Sequence, residues 1–144
     1  MNVLVIHGPN LNLLGEREPD IYGTMTLADL EQAIRTHAES LGHTTRFFQS
    51  NHEGALIDEL HAQRGWADAV LINPGALTHY SYALRDAIAA IRPPTYEVHL
   101  SDITAREPWR AISVIRDACA GVHSGHGKQS YFHALDAVTV SERR

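Results

Sequence analysis

The distribution of apolar residues along the chain predicts five strands. Residues 3–6 and 69–72 are apolar at successive positions, which is typical of strands that are buried on both faces. Each of these runs is followed by a turn containing glycine and proline. The predicted strands are Asn2–His7, Thr44–Gln49, 69–72, 96–100 and the weaker 121–123.

Between the strands, apolar residues recur at helical spacing. Leu27, Leu30 and Ile34 follow a start at Thr26 that resembles a capping box, and they predict a helix that ends before Gly42. Further helices are predicted at 53–64, 80–91 and 129–138, and a short one within 106–116. The charged residues 15–23 are bounded by glycines and contain a proline, which predicts a mobile loop.

The regular alternation of strands and helices defines the expected fold. Strands that are apolar on both faces require helices on both sides of a parallel sheet. Five strands in a chain of 144 residues suit a flavodoxin-like, doubly wound α/β fold. No linker or repeat interrupts the pattern, so we expect residues 1–144 to form a single domain.

Composition and charge exclude several classes of protein. The 17 acidic and 12 basic residues are scattered, and the formal charge of -5 argues against a nucleic-acid partner and against a membrane surface. The longest apolar run, at 87–91, is far shorter than the roughly twenty residues of a membrane span. The start of the chain has no basic flank typical of a secretory signal, and Cys119 is the only cysteine. We therefore expect a cytoplasmic protein.

The inventory of reactive side chains narrows the chemistry. Lys128 is the only lysine, which makes imine chemistry improbable, whereas ten histidines favour acid–base or metal chemistry. His123 and His126 have no third ligand at a recognised spacing, so we expect no metal site. The sequence around Lys128 resembles a phosphate loop but lacks its first glycine and the hydroxyl residue after the lysine. We expect no cofactor.

Polar residues follow three of the predicted strands. In a doubly wound sheet, ligands bind beyond the carboxyl ends of the strands, so these residues are expected to converge. They are His7, Asn10 and Asn12 after the first strand, Asn73, Thr78 and His79 after the third, and Glu97, His99 and Ser101 in the fourth.

Glu97, His99 and Ser101 alternate along a predicted strand and would therefore point to one face. A carboxylate two residues from an imidazole can fix the orientation and the tautomer of the ring, which makes the histidine a better-aimed acid or base. The alternative interpretation is a hydrogen-bonded histidine at the end of a strand.

Other pairs also have a functional and a structural interpretation. Arg17 beside Tyr22 would lower the pKa of the phenol and make it a usable base, or both residues would serve only to anchor the loop. Arg106 and Arg110 on one helical face could clamp a carboxylate, or form surface ion pairs. The pair His79 and Asp86 would share a helical face, as exposed polar positions often do. Met25, Trp66 and Trp109 are interpreted as packing residues.

The same residues carry a resemblance to the type II 3-dehydroquinate dehydratases. The segment 7–23 resembles the opening signature of that family, and two further signatures and two shorter motifs follow in the expected order. The four later segments are 72–79 (INPGALTH), 97–101 (EVHLS), 106–110 (REPWR) and 121–125 (GVHSG). The match covers nearly the whole chain and is highly specific.

The resemblance implies an anti elimination of water from 3-dehydroquinate to give 3-dehydroshikimate through an enolate, without cofactor or metal. It implies that Tyr22 is the base, kept ionised by Arg17, that Asn10 holds a water at the enolate, and that His99, backed by Glu97, is the acid. Substrate binding is assigned by the same resemblance to Asn73, His79, Leu100, Ser101 and Arg110. Asp86 of a neighbouring subunit is implied to approach the site, in a dodecamer built of trimers. The reaction serves aromatic amino acid biosynthesis or quinate breakdown.

Two positions depart from the family pattern. Asp102 stands where asparagine is usual, after the serine implied to bind the carboxylate, and Thr104 stands where histidine is common. An added negative charge should weaken the binding of an acid, so Asp102→Asn is expected to lower KM unless the side chain faces away or pairs with an arginine.

Two other functions compete with the lyase hypothesis. A flavodoxin-like domain could bind a ligand without turnover, although such a domain has no use for Arg17, Tyr22 and His99. A hydrolase on the same sheet would need a nucleophile elbow, which the sequence lacks, or a base beside Cys119.

Overall fold

The computed structural model describes residues 1–16 and 18–142. A parallel sheet has the order β2-β1-β3-β4-β5, which confirms the predicted flavodoxin-like α/β fold. The strands are β1 (Asn2–His7), β2 (Thr44–Gln49), β3 (Ala69–Asn73), β4 (Thr95–His99) and β5 (Gly121–Ser124). The α-helices are α1 (Pro19–Tyr22), α2 (Leu27–Ser40), α3 (Glu53–Gln63), α4 (Tyr82–Ala90) and α5 (Gln129–Glu142).

Successive residues of the central strands point into two separate cores. Val3 and Val5 of β1 pack with α2 and α5, whereas Leu4 and Ile6 pack with α3 and α4. This alternation explains why the first strand is apolar at every inner position. Glu97 and His99 replace apolar residues at the carboxyl end of β4, where the sheet opens towards solvent.

Most predicted boundaries agree with the structure within one or two residues, and three segments need comment. The helix predicted at 80–91 begins at Tyr82, because the hydroxyl of Ser81 accepts the backbone N–H of Leu84 at 3.0 Å and caps the helix there. The short helix expected within 106–116 is present as a 3-10 helix, Pro108–Ala111. The predicted loop at 15–23 contains the single turn of α1.

Candidate active site

A cavity of about 120 Å³ lies at the carboxyl ends of β1, β3 and β4. Its polar lining comes from all three strand ends and from the segment after β4, so the expected convergence is found for part of the predicted set, whereas His7, Asn12, Thr78 and Glu97 do not line the cavity. The polar residues that line it are Asn10, Asn73, His79, His99, Ser101, Arg106 and Arg110.

Two loops hold this edge of the sheet together by direct backbone contact. The N–H of Gly8 donates to the carbonyl of Asn73 at 2.7 Å, and a Cβ on Gly8 would lie 2.5 Å from the backbone of Pro74. In return, Gly75 has a φ of +59° and would place a Cβ 3.0 Å from the carbonyl oxygen of Pro9. Glycine is therefore required at both positions for the strand ends to meet.

Glu97 and His99 form a buried hydrogen-bonded pair. Nε2 of His99 lies 2.5 Å from Oε2 of Glu97, and the two residues are 5% and 0% exposed. Burial opposes ionisation of Glu97, but hydrogen bonds from His99, Thr78 and Ser113, together with the charge of His99, hold the pKa of its carboxyl below the ordinary value. An ionised Glu97 must accept the Nε2 proton of His99, so Nδ1 is the ring nitrogen left to act as acid or base.

His79 is oriented by its own backbone contact. Its Nδ1–H donates to the carbonyl of Ile112 at 2.6 Å, which leaves a lone pair on Nε2. Burial lowers the pKa of the His79 imidazole, and the nearby charges of His99 and Arg110 lower it further against the Ile112 hydrogen bond. His79 is therefore suited to accept a hydrogen bond from a ligand hydroxyl.

Arg106 and Arg110 both line the cavity although no helix joins them. Nε of Arg110 donates to Oε2 of Glu107 at 2.5 Å, and its guanidinium lies 4.2 Å from the centre of the Trp109 ring. Trp109 also meets His79 edge to face, with the ring centres 5.1 Å apart. Trp109 therefore packs on two cavity residues and not in the core, since the residue is 49% exposed.

The two asparagines of the cavity are held by residues that the sequence did not single out. Asn73 donates its amide to the hydroxyl of Tyr131 at 3.2 Å and accepts the N–H of Gly75 at 3.2 Å. Asn10 has a left-handed backbone (φ 72°), and its N–H donates to Oδ1 of Asn51 at 3.0 Å. Because the contacts with Tyr131 and Asn51 span 58 and 41 residues, no local pattern could have revealed them.

The segment implied to carry the base contacts the rim of the cavity. Glu18, which precedes α1, lies 3.3 Å from the guanidinium of Arg106. The predicted Arg17–Tyr22 pair lies outside the described residues, except for the backbone of Tyr22 at the end of α1. The ion pair nevertheless places the start of α1 beside a residue of the cavity wall.

Leu100, Ser101 and Asp86 occupy different surroundings. Leu100 and Ser101 line the cavity, and the carbonyl of Leu100 accepts the N–H of Gly127 at 2.9 Å. Asp86 lies away from the cavity on α4, where its side chain is 79% exposed and 3.5 Å from Arg85. His79 lies before α4 in a 3-10 turn, so the expectation that it shares a helical face with Asp86 is wrong.

Asp102 is not among the residues that line the cavity. Its carboxylate accepts the backbone N–H of Thr104 at 3.0 Å and the Thr104 hydroxyl at 2.6 Å, and these bonds lower the pKa of the carboxyl. The two departures from the family pattern therefore form one local unit, in which Asp102 caps the turn Ile103–Ala105.

In the described part of the chain, no group of three or more His, Cys, Asp or Glu side chains could hold a metal ion. None of the helices described there is long and apolar enough to cross a membrane.

Burial raises the pKa of the Cys119 thiol to about 12, which is unfavourable for the cysteine-hydrolase alternative.

The chain is similar to known dehydroquinases both in sequence and in structure. The family model described as dehydroquinase class II matches residues 1–139. The catabolic 3-dehydroquinase 1 of Aspergillus terreus is 53% identical over 97% of this chain and 92% of its own length. The 3-dehydroquinate dehydratase of Caldicellulosiruptor bescii is 56% identical over 94% of each chain. The crystal structure of a type II dehydroquinase from Butyrivibrio crossotus superposes with a TM-score of 0.93 at 44% identity, covering 96% of this chain and 97% of that one.

The strand order is that of the flavodoxin-like fold, a buried Glu–His pair lies at the carboxyl edge of the sheet, and the relatives match over almost their full length. This chain belongs to the class II dehydroquinase family.

Proposed function

We propose that the chain is a type II 3-dehydroquinate dehydratase and eliminates water from 3-dehydroquinate through an enolate, as a single catalytic domain. The observation that carries the assignment of its acid is the buried Glu97–His99 pair on the cavity wall. Elimination of water beta to a ketone needs a base, an enolate stabiliser and an acid at separate positions.

The acid half of the reaction belongs to β4. Glu97 holds the proton of Nε2, so His99 delivers a proton from Nδ1 to the departing hydroxyl. The carboxylate stabilises the imidazolium before the transfer and fixes the ring in the correct orientation. Neither step needs a cofactor or a metal.

The base half belongs to the segment before α2. Tyr22 removes the proton alpha to the ketone, and Arg17 favours the phenolate form. Asn10, whose left-handed backbone is tied to Asn51, holds the water that stabilises the enolate. The contact of Glu18 with Arg106 supports closure of this segment over the substrate.

Substrate binding falls to the remaining lining residues. His79 and Asn73 accept and donate hydrogen bonds to the hydroxyls of the ring. The guanidinium of Arg110 and the backbone at Leu100 and Ser101 bind the hydroxyl and carboxylate groups on the opposite side. The elimination is the same whether the pathway is aromatic biosynthesis or quinate breakdown.

The assembly is proposed as a cytoplasmic dodecamer of trimers in which Asp86 of a neighbouring subunit completes the site. Supporting this, Tyr80, Tyr82, Trp109 and Ile112 are large apolar side chains that are exposed beside the cavity in the isolated chain, at 49–66%. Sedimentation velocity tests the assembly, and a monomer at micromolar concentration would contradict it.

The first experiment is ultraviolet absorbance after mixing the protein with 3-dehydroquinate, because the product is a conjugated enone. We expect absorbance to rise, to persist in the presence of a chelator, and to survive borohydride treatment with substrate, since no metal and no imine takes part. Tyr22→Phe should abolish the signal without loss of folding. A folded, assembled protein that binds a dehydroquinate analogue but forms no product would favour the binding-domain alternative.

A further inference from the structure

Two hydroxyls, one on the buried Thr78 and one on the half-buried Ser113, contact the Glu97 carboxylate behind His99 and have no role in the proposed reaction so far. Thr78 Oγ1 lies 2.5 Å from Oε2 of Glu97, the same oxygen that His99 contacts. Ser113 Oγ lies 2.8 Å from the other oxygen, Oε1. Both oxygens of the fully buried carboxylate are therefore hydrogen-bonded.

The direction of these hydrogen bonds follows from the other contacts of the serine. Ser113 Oγ accepts the backbone N–H of Arg116 at 3.2 Å, so its own proton is available for Glu97. Thr78 Oγ1, 3.1 Å from Ser113 Oγ, is close enough to Glu97 for a strong hydrogen bond in which the hydroxyl donates. With the His99 ring, three donors surround the carboxylate, so a protonated carboxyl would have to direct its own proton at one of these groups, which would have to change from donor to acceptor.

We propose that Thr78 and Ser113 are positioning residues that hold Glu97 as an oriented anion, so that the single mobile proton of the pair resides on His99. A carboxylate buried in this way without donors would favour its neutral form. A neutral Glu97 could no longer accept the Nε2 proton of His99, and the ring would lose both its tautomer and its orientation. This role rests on the proposed function, in which His99 is the acid.

The two hydroxyls also connect the acid to the substrate-binding turn. Ser113 follows Arg110 by three residues, and the N–H of Val114 donates to the carbonyl of Thr78 at 2.8 Å. The carbonyl of Ile112, in the same segment, accepts from His79. One short stretch of backbone thus fixes Arg110, His79 and the partners of Glu97 relative to one another.

The test compares Thr78→Val, Thr78→Ser and Ser113→Ala with the native chain. Valine keeps the shape of threonine and removes the donor, so kcat should fall by about tenfold or more while KM changes less than about twofold. The acid limb of the kcat profile should move to higher pH, because Glu97 becomes easier to protonate. Thr78→Ser, which keeps the hydroxyl, should restore both values.

Thr95, two residues before Glu97 on β4, offers a matched control. Thr95 of β4 is also buried, and its Oγ1 has no hydrogen-bond partner among the described residues. Thr95→Val is the same change without loss of a donor to Glu97, and we expect it to leave kcat and its pH profile unaltered.

A second readout does not depend on turnover. Infrared difference spectra recorded during a pH titration detect the C=O band of a buried protonated carboxyl. This band should appear at higher pH in Thr78→Val than in the native protein. Glu97→Gln should remove the band. Unmoved bands and pH profiles, or a Thr78→Ser variant as impaired as Thr78→Val, would overturn the proposal. A shifted band in a protein that does not dehydrate 3-dehydroquinate would instead refute the proposed function alone.

Discussion

Around the cavity, individual side chains owe their orientation to partners far away in the chain. Asn73 is held by Tyr131, Asn10 by Asn51, and Glu97 by Ser113. The chemistry-bearing residues themselves could be found from the sequence, because they follow strand ends and match known motifs. Their partners could not, because Ser113 and Tyr131 stand in segments where nothing local distinguishes a packing residue from a hydrogen-bond donor.

Asp102 provides a test at this scale. Since its carboxylate is engaged by Thr104 and Asp102 does not line the cavity, Asp102→Asn should change KM for 3-dehydroquinate by less than about twofold, against the reduction expected from the sequence. Asparagine also caps turns well, so the melting temperature should move little. Steady-state kinetics measure the change in KM. Arg110→Ala, which we expect to raise KM about tenfold or more, shows that the assay is sensitive to lost substrate contacts. A several-fold drop in KM would show that the charge reaches the substrate.

At the scale of elements, the strands and most helices were predictable because their apolar periodicity is strong. The errors occurred where short-range contacts replace periodicity. The segment 106–116 was expected to hold a short helix, and the helix that forms there is a 3-10 helix that begins at Pro108, preceded by a turn that Asp102 caps. Its two arginines still reach one cavity, because the turns fold back against the end of β4 and not because of helical spacing.

The meeting of the first and third strand ends gives a prediction about Gly8. A methyl group there would collide with the backbone of Pro74, so Gly8→Ala should lower the free energy of unfolding by about 2 kcal/mol or more and reduce kcat/KM as the cavity walls separate. Gly54, in α3, has open space around its Cα, and Gly54→Ala should be neutral or stabilising by up to about 1 kcal/mol. Urea unfolding and kinetics of both variants test this, and equal stability of the two would contradict the collision.

For the whole molecule, two cores on opposite faces of one sheet leave little room for polar groups. His7 is fully buried at the end of β1, between the rings of Phe47 and Tyr131, and neither of its nitrogens has a partner among the described residues. Burial lowers the pKa of the His7 imidazole to about 4. The folded protein therefore holds this ring in its neutral form.

This buried ring makes the stability of the molecule depend on pH. Below an unfolded pKa of about 6.5, the unfolded chain binds a proton that the folded chain does not, so stability should fall as pH decreases from about 6.5 to about 4, by about 3 kcal/mol in total. His7→Leu should remove that part of the slope. Urea unfolding midpoints, measured at the same protein concentration across this pH range, give the difference in stability between the native protein and His7→Leu. The contributions of the other histidines are the same in both proteins and cancel in this difference. Parallel slopes would contradict the assignment.

The sequence by itself determined the order of strands and helices, the edge of the sheet at which the polar side chains gather and the pairing of Glu97 with His99. These properties follow from apolar periodicity and from residue types at strand ends, both of which are local. Only the tertiary structure decided that the Asp102 carboxylate bonds Thr104. It alone also placed the exposed Trp109 beside His79 and Arg110, and brought Thr78 and Ser113 together at Glu97. Such contacts join residues that are distant in the chain, and packing between elements alone brings them within hydrogen-bond distance.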